Sequence, residues 1–276
     1  MAERADEVRG RMREMWGARA RSFAEHAAPQ TSKYAEVLVG AVAPRPGERV
    51  LDVACGSGVV AVRAARLVEP AGEVVATDLA PEWAELVAET AAAAGVTNVA
   101  FRAMGAEALD LPDQAFDAAF CQFGLMFVPD PTQALREMRR VLRDGGRLGI
   151  IVWSTGDRVA CFGMDRILSQ LAPPPPDMPT PHALAEPGLI ERLVADAGFG
   201  AVRLEDVTID SVIEDFDAAW QMRLDMASPP LAAALRQAAP EELARIRAEA
   251  LAWLEQYRHG SEYRLPSTAL MVTAAR

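Results

Sequence analysis

Asp52, Gly56, Gly58 and Asp78 are the residues whose types and spacing suit chemistry, and the chemistry they suit is binding a small polar molecule. In the stretch RVLDVACGSGVVA, Arg49 to Ala61, the strand formers Val50, Leu51 and Val53 precede two glycines and a helical segment running from Val59 to Leu67. A short apolar run of this kind suits a parallel strand covered on both faces. Glycines lack a Cβ, so they permit the turn and let a ligand approach the main chain, while the first amides of the following helix point at it. Asp52 sits at the carboxyl end of the apolar strand, where an unpaired charge would be expensive to bury, so a polar or cationic partner is expected. Asp78 ends a second short strand and lies 20 residues after Gly58, near the spacing of about 20 at which an acidic residue meets a ribose. A carboxylate accepts both ribose hydroxyls at once; the competing role is an exposed N-cap for a helix starting at Pro81. The spacing Gly56-x-Gly58-x-x-Ala61 also fits the dinucleotide fingerprint, so the glycines alone admit a nicotinamide-dependent enzyme.

The elements that must position these residues follow from periodicity. Residues 4 to 43 read as two helices broken around Pro29, carrying Met12, Met15, Trp16 and Phe23, then Tyr34, Val37, Leu38 and Val42 at helical spacing. Strand and helix then alternate: strands at Val50–Val53, Val74–Ala76, Val99–Arg102, Ala118–Gln122 and Arg147–Trp153, with an alanine-rich helix stopped by Gly95 and a helix from Pro131 to Leu142 ended by Asp144-Gly145-Gly146. This alternation predicts an α/β, doubly wound, mostly parallel sheet. Gln122 and Phe123 end the fourth strand beside the first, where the sheet reverses direction and such folds place their ligands. Beyond Trp153 the reading is a helix at Cys161–Leu171, a stiff crossing through Pro173–Pro176, Pro179 and Pro181, a helix at Leu189–Ala197 and a strand at Val202–Val212. A mostly helical stretch, Asp217–Tyr257, and a last strand, Pro266–Ala274, complete it.

Composition sets the bounds. The 276 residues are 51% hydrophobic and 24% charged, enough for one sizeable core with appended elements. A formal charge of -11, from 28 basic and 39 acidic residues, argues against a nucleic-acid partner, whose binding relies on Lys and Arg. The charged start MAERADEVRGRMREMW has no signal-peptide core, and no run approaches the roughly 20 apolar residues of a membrane helix, so a soluble cytoplasmic protein is expected. Cys55, Cys121 and Cys161 and the three scattered histidines suggest neither a disulfide framework nor a metal site.

VLDVACGSG closely resembles the first motif of class I S-adenosylmethionine (SAM)-dependent methyltransferases, in particular the ubiquinone/menaquinone-methyltransferase-like group acting on small molecules. The resemblance extends from Arg49 to Trp153. MGAEALDLPDQAFDAAF is similar to the second motif, whose acidic residue and alanine bracket the adenine. Ala106, Glu107, Phe116 and Asp117 match, while Gly105 stands where the family commonly has Asp and Asp144 replaces a common proline. The resemblance implies a Rossmann-like seven-stranded sheet whose last strand runs antiparallel, with SAM as cofactor and a small-molecule acceptor. Its expected cofactor-binding set is Asp52, Ala54, Gly56, Gly58, Asp78, Leu79, Trp83, Ala106, Glu107, Gln122 and Phe123. It divides the chain into an N-terminal helical lid (1–46), a SAM-binding core (47–156) and a remainder (157–276) whose inserted helices, about 157–185 and 214–262, form a cap.

Methyl transfer from a sulfonium needs nucleophile, carbon and sulfur nearly in line, so positioning and exclusion of water can carry much of the catalysis. For a hydroxyl acceptor His26, Tyr34 and His182 are candidate bases, and Trp16, Tyr34 and Trp220 are candidates to touch an apolar or aromatic acceptor. The alternatives are a nicotinamide-dependent oxidoreductase, and a SAM-fold binding protein or non-methylating biosynthetic enzyme. A homo-oligomer is compatible with all three.

Overall fold

Apolar strands too hydrophobic to face water on either side form the centre of the sheet, and short βα turns return the chain to it with one hand. The computed structural model describes residues 2–173 and 178–276, with the backbone alone for 2–4; Pro174 to Pro176 of the expected proline crossing lie outside the described residues. The chain divides into two compact units, one of Met1–Ser154, Pro179–Val207 and Ala269–Arg276, the other of Thr155–Met178 and Thr208–Thr268.

The first unit opens with α1 (Ala2–His26) and α2 (Ala28–Val42). There follow β1 (Arg49–Val53), α3 (Val59–Val68), β2 (Glu73–Asp78), α4 (Trp83–Ala94), β3 (Val99–Ala103), β4 (Phe116–Gln122), α5 (Pro131–Val141) and β5 (Leu142–Trp153). It also contains α7 (Leu189–Asp196), between the short α6 (Gly163–Leu168) and β6 (Gly200–Ile213). The second unit carries α6, α8 (Phe216–Asp225), α9 (Pro229–Gln237), α10 (Pro240–Glu255) and the two-residue β7 (Arg258–His259). The chain passes from one unit to the other within β6 and again within β8 (Glu262–Ala275).

The strand order is β3-β2-β1-β4-β5-β8-β6, with β7 paired to β8 off this path. Pairs β1–β2, β1–β4, β2–β3 and β4–β5 are parallel, while β8 runs antiparallel to β5 from Arg147↔Ala275 to Trp153↔Ala269. Thus the seven-stranded path and its antiparallel last strand are as the sequence implies, and β7 is an addition.

Several boundaries differ from expectation. Residues 1–46, expected as a separate lid, cluster with the sheet, and 179–185, expected in the cap, fall in the first unit. The glycines of Asp144-Gly145-Gly146 lie inside β5, which starts at Leu142 and takes up a register shift opposite Phe116 and Ala118. That shift explains why a turn-like sequence continues the strand. Helix α4 begins at Trp83 rather than Pro81, with Glu82 as its N-cap.

The first unit is closed by α2, whose Leu38 is fully buried and whose Tyr34, Val39 and Val42 are nearly so. Gly149 of β5 makes that packing possible, because a Cβ there would lie 2.5 Å from Val42 Cγ2 and 3.0 Å from Leu38 Cδ1. Arg147 adds a polar tie, donating from Nε to the Val42 carbonyl at 3.0 Å and pairing with Glu48. In the second unit Trp220, Ile246, Ala250, Leu254 and Tyr263 form a separate apolar core. Gly149→Val should overpack the α2–β5 contact and lower the stability of the first unit by roughly 1–3 kcal/mol in chemical denaturation; an unchanged midpoint would show that α2 is not held through this residue.

Candidate functional site

The parallel strands β4, β1, β2 and β3 all end on the same side, and a pocket of about 930 Å³, counting its open mouth, runs along those ends within the first unit. Because the strand order is fixed, the pocket wall is laid out in sequence. Gln122 and Phe123 lie at the β4 end, Ala54 to Ser57 after β1, Asp78 and Leu79 after β2, and Met104 to Glu107 after β3.

After β1 the backbone folds back on itself. Ala54 has φ +54° and Gly56 φ +51°, and Gly58 N–H donates to the Cys55 carbonyl at 2.9 Å, bringing the chain into α3. A positive φ at a non-glycine residue costs free energy and persists where surrounding structure enforces it. Here the enforcing group is Asp78. Its Oδ2 accepts the Gly56 N–H at 3.0 Å and its Oδ1 the Ala80 N–H at 3.1 Å. Asp78 is thus no exposed N-cap, the competing role, but the centre of a buried Asx-type turn, 9% exposed and facing the pocket. Burial pushes the Asp78 carboxyl up to about 6, opposed by the backbone amides of Ala80, Gly56 and Leu79 and reinforced by Glu82.

Asp52 and Gly58 do not line the pocket, which corrects their place in the expected ligand set. Asp52 is 1% exposed, and its Oδ2 accepts the Ala61 N–H at 3.0 Å. Its partner is thus an otherwise unpaired amide in the first turn of α3. Burial drives its carboxyl up to about 8, against the Ala61 hydrogen bond, with Asp78 adding to the rise. Gly58, at φ +82°, faces α4, where a Cβ would lie 3.3 Å from Val87 Cγ2.

At the β3 end, Glu107 does not present a free carboxylate. Arg9 of α1 grips it in a forked pair, Nε to Oε2 at 3.0 Å and Nη2 to Oε1 at 3.2 Å, and Asp130 N–H donates to Oε1 at 3.1 Å. At the β4 end Gln122 Nε2 donates to the Thr31 carbonyl at 3.2 Å, leaving its buried Oε1 without a partner. Phe123, at φ +54°, stacks on Trp153 with centroids 4.1 Å apart. Gly124 beside it leaves no room for a side chain, since a Cβ would lie 2.4 Å from the Ala54 Cβ. The remaining wall comes from α1 and a chain of edge-on rings: Phe127–Trp16 at 5.2 Å, Trp16–Phe23 at 5.5 Å and Phe23–Trp83 at 5.9 Å.

Of the sequence-derived residues, Trp16, Ala54, Gly56, Asp78, Leu79, Trp83, Ala106, Glu107, Gln122 and Phe123 meet in this one pocket. The proposed bases do not. His26 ends α1 outside the pocket wall, and Tyr34 is 2% exposed behind it, edge-on to Phe123 and Trp153 at 5.2 Å. His182 Nδ1 is 2.7 Å from the Ser154 carbonyl, just past β5 and outside the lining. Trp220 is 8% exposed in the core of the second unit, stacked with Phe216, and does not belong to this pocket. Arg9, Thr31, Gly124 and Phe127 line the pocket without having been read from the sequence, and Met12 and Met104, read only as part of a helical apolar face and of the second motif, line it too. Among the described residues no group of three or more His, Cys, Asp or Glu side chains is arranged to hold a metal ion.

Comparison with known proteins adds the lineage. The model of the ubiE/COQ5 methyltransferase family matches residues 22–170, more than half of the chain. The chain belongs to this family. A family relative, the ubiquinone/menaquinone biosynthesis C-methyltransferase of Hahella chejuensis, is 42% identical over 111 residues, 40% of this chain and 45% of the relative. An uncharacterised protein of Mycobacterium tuberculosis is 40% identical over 118 residues, 43% of this chain and 42% of that protein. The chain thus spans less than half the length of the curated relatives it matches. Among solved structures, the YcgJ protein of Bacillus subtilis aligns with TM-score 0.58 at 20% identity, over 88% of this chain and 97% of that one. The [4+2]-cyclase SpnF aligns with TM-score 0.52 at 23% identity, over 88% and 80%. At these identities the likeness is one of fold.

The buried acids make stability depend on pH in a definite direction. Asp52 titrates near 8 in the fold and near 3.9 when unfolded, so between those values the folded state holds a proton that the unfolded state has lost. Stability therefore falls as pH rises from about 4 to about 8, by at most ~1.4 kcal/mol per pH unit from this group, and levels off above. Asp52→Asn should remove most of that slope in urea titrations at several pH values; an unchanged slope would assign it elsewhere.

Proposed function

We propose that the chain is a SAM-dependent methyltransferase that moves a methyl group to a small-molecule acceptor. The observation that carries the reading is the Asp78 carboxylate, facing the pocket while pinning the Gly56 turn. In family terms this is the ribose acceptor beside the glycine loop. The residues present fit the cofactor along the pocket. Met104 to Glu107 and Leu79 would flank the base, Asp78 would take the ribose hydroxyls, and Gly56 would let the chain approach the amino-acid tail. The buried Gln122 Oε1 has no partner among the described residues, and an ammonium donor from the tail would satisfy it. When bound, the cofactor supplies an activated methyl on a sulfonium.

The protein's own part is positioning. No histidine lines the pocket; its titratable side chains are Arg9, Cys55, Asp78 and Glu107. Burial raises the Cys55 thiol well above its ordinary value, and Arg9 and Glu107 are paired to each other. The site therefore suits an acceptor whose nucleophile needs no protein base, such as a carbon, an amine or an already acidic hydroxyl. The Trp16, Phe23 and Phe127 rings favour an apolar or aromatic one. The work of these residues is to hold the acceptor in line and keep water out. Among the described residues no helix is long and apolar enough to cross a membrane; a cytoplasmic setting, and a homo-oligomer, remain part of this proposal.

The fold also houses a protein described as a [4+2]-cyclase, so binding and turnover need separate tests. Calorimetric titration should give saturable binding of SAM and S-adenosylhomocysteine and none of NAD. Binding of NAD alone would overturn the assignment, and SAM binding with no S-adenosylhomocysteine released across a panel of apolar acceptors would favour the non-methylating alternative.

The pH dependence of binding tests the ribose role. Asp78 titrates near 6, and its ionised form is the better acceptor for two hydroxyls. Affinity should therefore be level above pH 7 and weaken by up to about tenfold per unit below pH 6, because binding must then expel the proton. Asp78→Asn should bind SAM at least tenfold more weakly at pH 7.5 and lose the acid limb, whereas an acid limb retained in the folded variant would assign it to another group.

A further inference from the structure

The second unit carries a pocket of its own. Trp220 and Leu224 of α8, Leu235 and Arg236 of α9, and Leu243 and Arg247 of α10 line it, all within Thr208–Thr268. Its inner wall is apolar: Trp220 is 8% exposed, and Leu224, Leu235 and Leu243 are half-buried. Arg236, in contrast, is exposed, so the pocket runs from an apolar interior to a cationic opening. No acid stands in the described lining. Arg247 is held in place, donating to Asp217 and lying with its guanidinium 5.0 Å from the Phe216 ring centre. Among the described residues no hydrogen bond, ion pair or ring contact engages Arg236. Its five N–H donors are therefore available to a ligand.

Helix α9 supplies a second, independent observation. A helix laid on a core ordinarily buries an apolar stripe, and Leu231 and Leu235 of α9 do pack against the core of this unit. Yet none of its residues is buried. Apolar surface along this wall stays partly in water, and covering it is favourable in proportion to the area removed. An apolar tail would cover that surface, while a carboxylate at its end would meet Arg236 in paired, charge-assisted hydrogen bonds. Apolar walls between helices with a few polar groups to fix orientation are the usual make-up of a small-molecule site. We infer that the second unit binds a single-chain amphiphile with an anionic head, a medium- or long-chain carboxylate, its tail against Trp220, Leu224 and Leu243 and its head at Arg236. The site shares no residue with the pocket of the first unit, and the inference does not rest on the function proposed for that pocket.

The test is calorimetric titration of the full chain with decanoate and decanol, equal in chain length and different in charge, below micelle-forming concentrations. The wild type should bind decanoate saturably and about tenfold or more tighter than decanol, the difference expected of hydrogen bonds to a charged group, and saturating S-adenosylhomocysteine should leave both affinities unchanged. Arg236→Gln should weaken decanoate by about tenfold or more and leave decanol as it was. Ala244→Trp, which fills the pocket from α10, should weaken both ligands. No saturable decanoate binding by the wild type overturns the inference, as does equal affinity for the two ligands or an unchanged decanoate affinity in both folded variants. A wild type that sediments as a dimer, comes apart on Ala244→Trp and binds no decanoate would assign this face to a second copy of the chain and overturn it too.

Discussion

One buried carboxylate holds the ligand end of the sheet in its working shape. Asp78 accepts from the amide of Gly56 in the β1–α3 turn and from Ala80 in its own βα turn, tying two separate loops through one side chain. The main chain it immobilises includes the left-handed residues Ala54 and Gly56, which would relax if the tie were cut. Hydrogen bonds to a carboxylate are stronger than neutral ones, yet burial works against the charge and lifts this group to about 6. The balance places its protonation inside the ordinary pH range. A ligand bringing hydroxyl donors or a positive charge to this end would favour the ionised form and draw a proton off.

The opposite wall is held by sterics rather than charge. Phe123 is left-handed, its ring stacked on Trp153 and edge-on to Tyr34, while Gly124 brings its main chain against Ala54. Two left-handed residues, Ala54 after β1 and Phe123 after β4, therefore lie on either side of the point where the strand order reverses direction. Such residues persist only where the surrounding packing enforces them. Fully buried Leu38, with the nearly buried Tyr34 of α2, supplies the packing that makes this arrangement persist.

What was legible in the sequence was local. The strand at Val50–Val53, the turn at Gly56 and the acid at Asp78 are written in consecutive residues whose period and type have few competing readings. Gln122 was likewise legible as an amide ending an apolar strand; its Nε2 finds the Thr31 carbonyl, 91 residues away, and its Oε1 no partner among the described residues. What could not be read was long-range pairing. Arg9 and Glu107 stand 98 residues apart, and no spacing rule joins a basic residue in an N-terminal helix to an acid after the third strand. For the same reason Tyr34 and His182 looked available as bases. A tyrosine or histidine in a loop or lid sequence says nothing about whether a ring stack or a carbonyl has already claimed it. Asp52 failed differently: its partner was sought in a ligand, but the first turn of α3 always offers unpaired amides, and Ala61 is the nearest.

The family match begins at residue 22, after Arg9, Met12 and Trp16, so the part of the pocket shared with the family and the part closing its base end have separate origins in the chain. The matched part carries the turn at Gly56, the strand-end acid Asp78 and the amide Gln122 at the end of β4. The α1 contribution reaches the pocket through a forked ion pair to a loop the family does share, at Glu107. Removing Arg9 would leave the largely buried Glu107 carboxylate without its cation, which costs more than the pair itself contributes, whereas Arg9, a third exposed, would keep Asp6 as a partner.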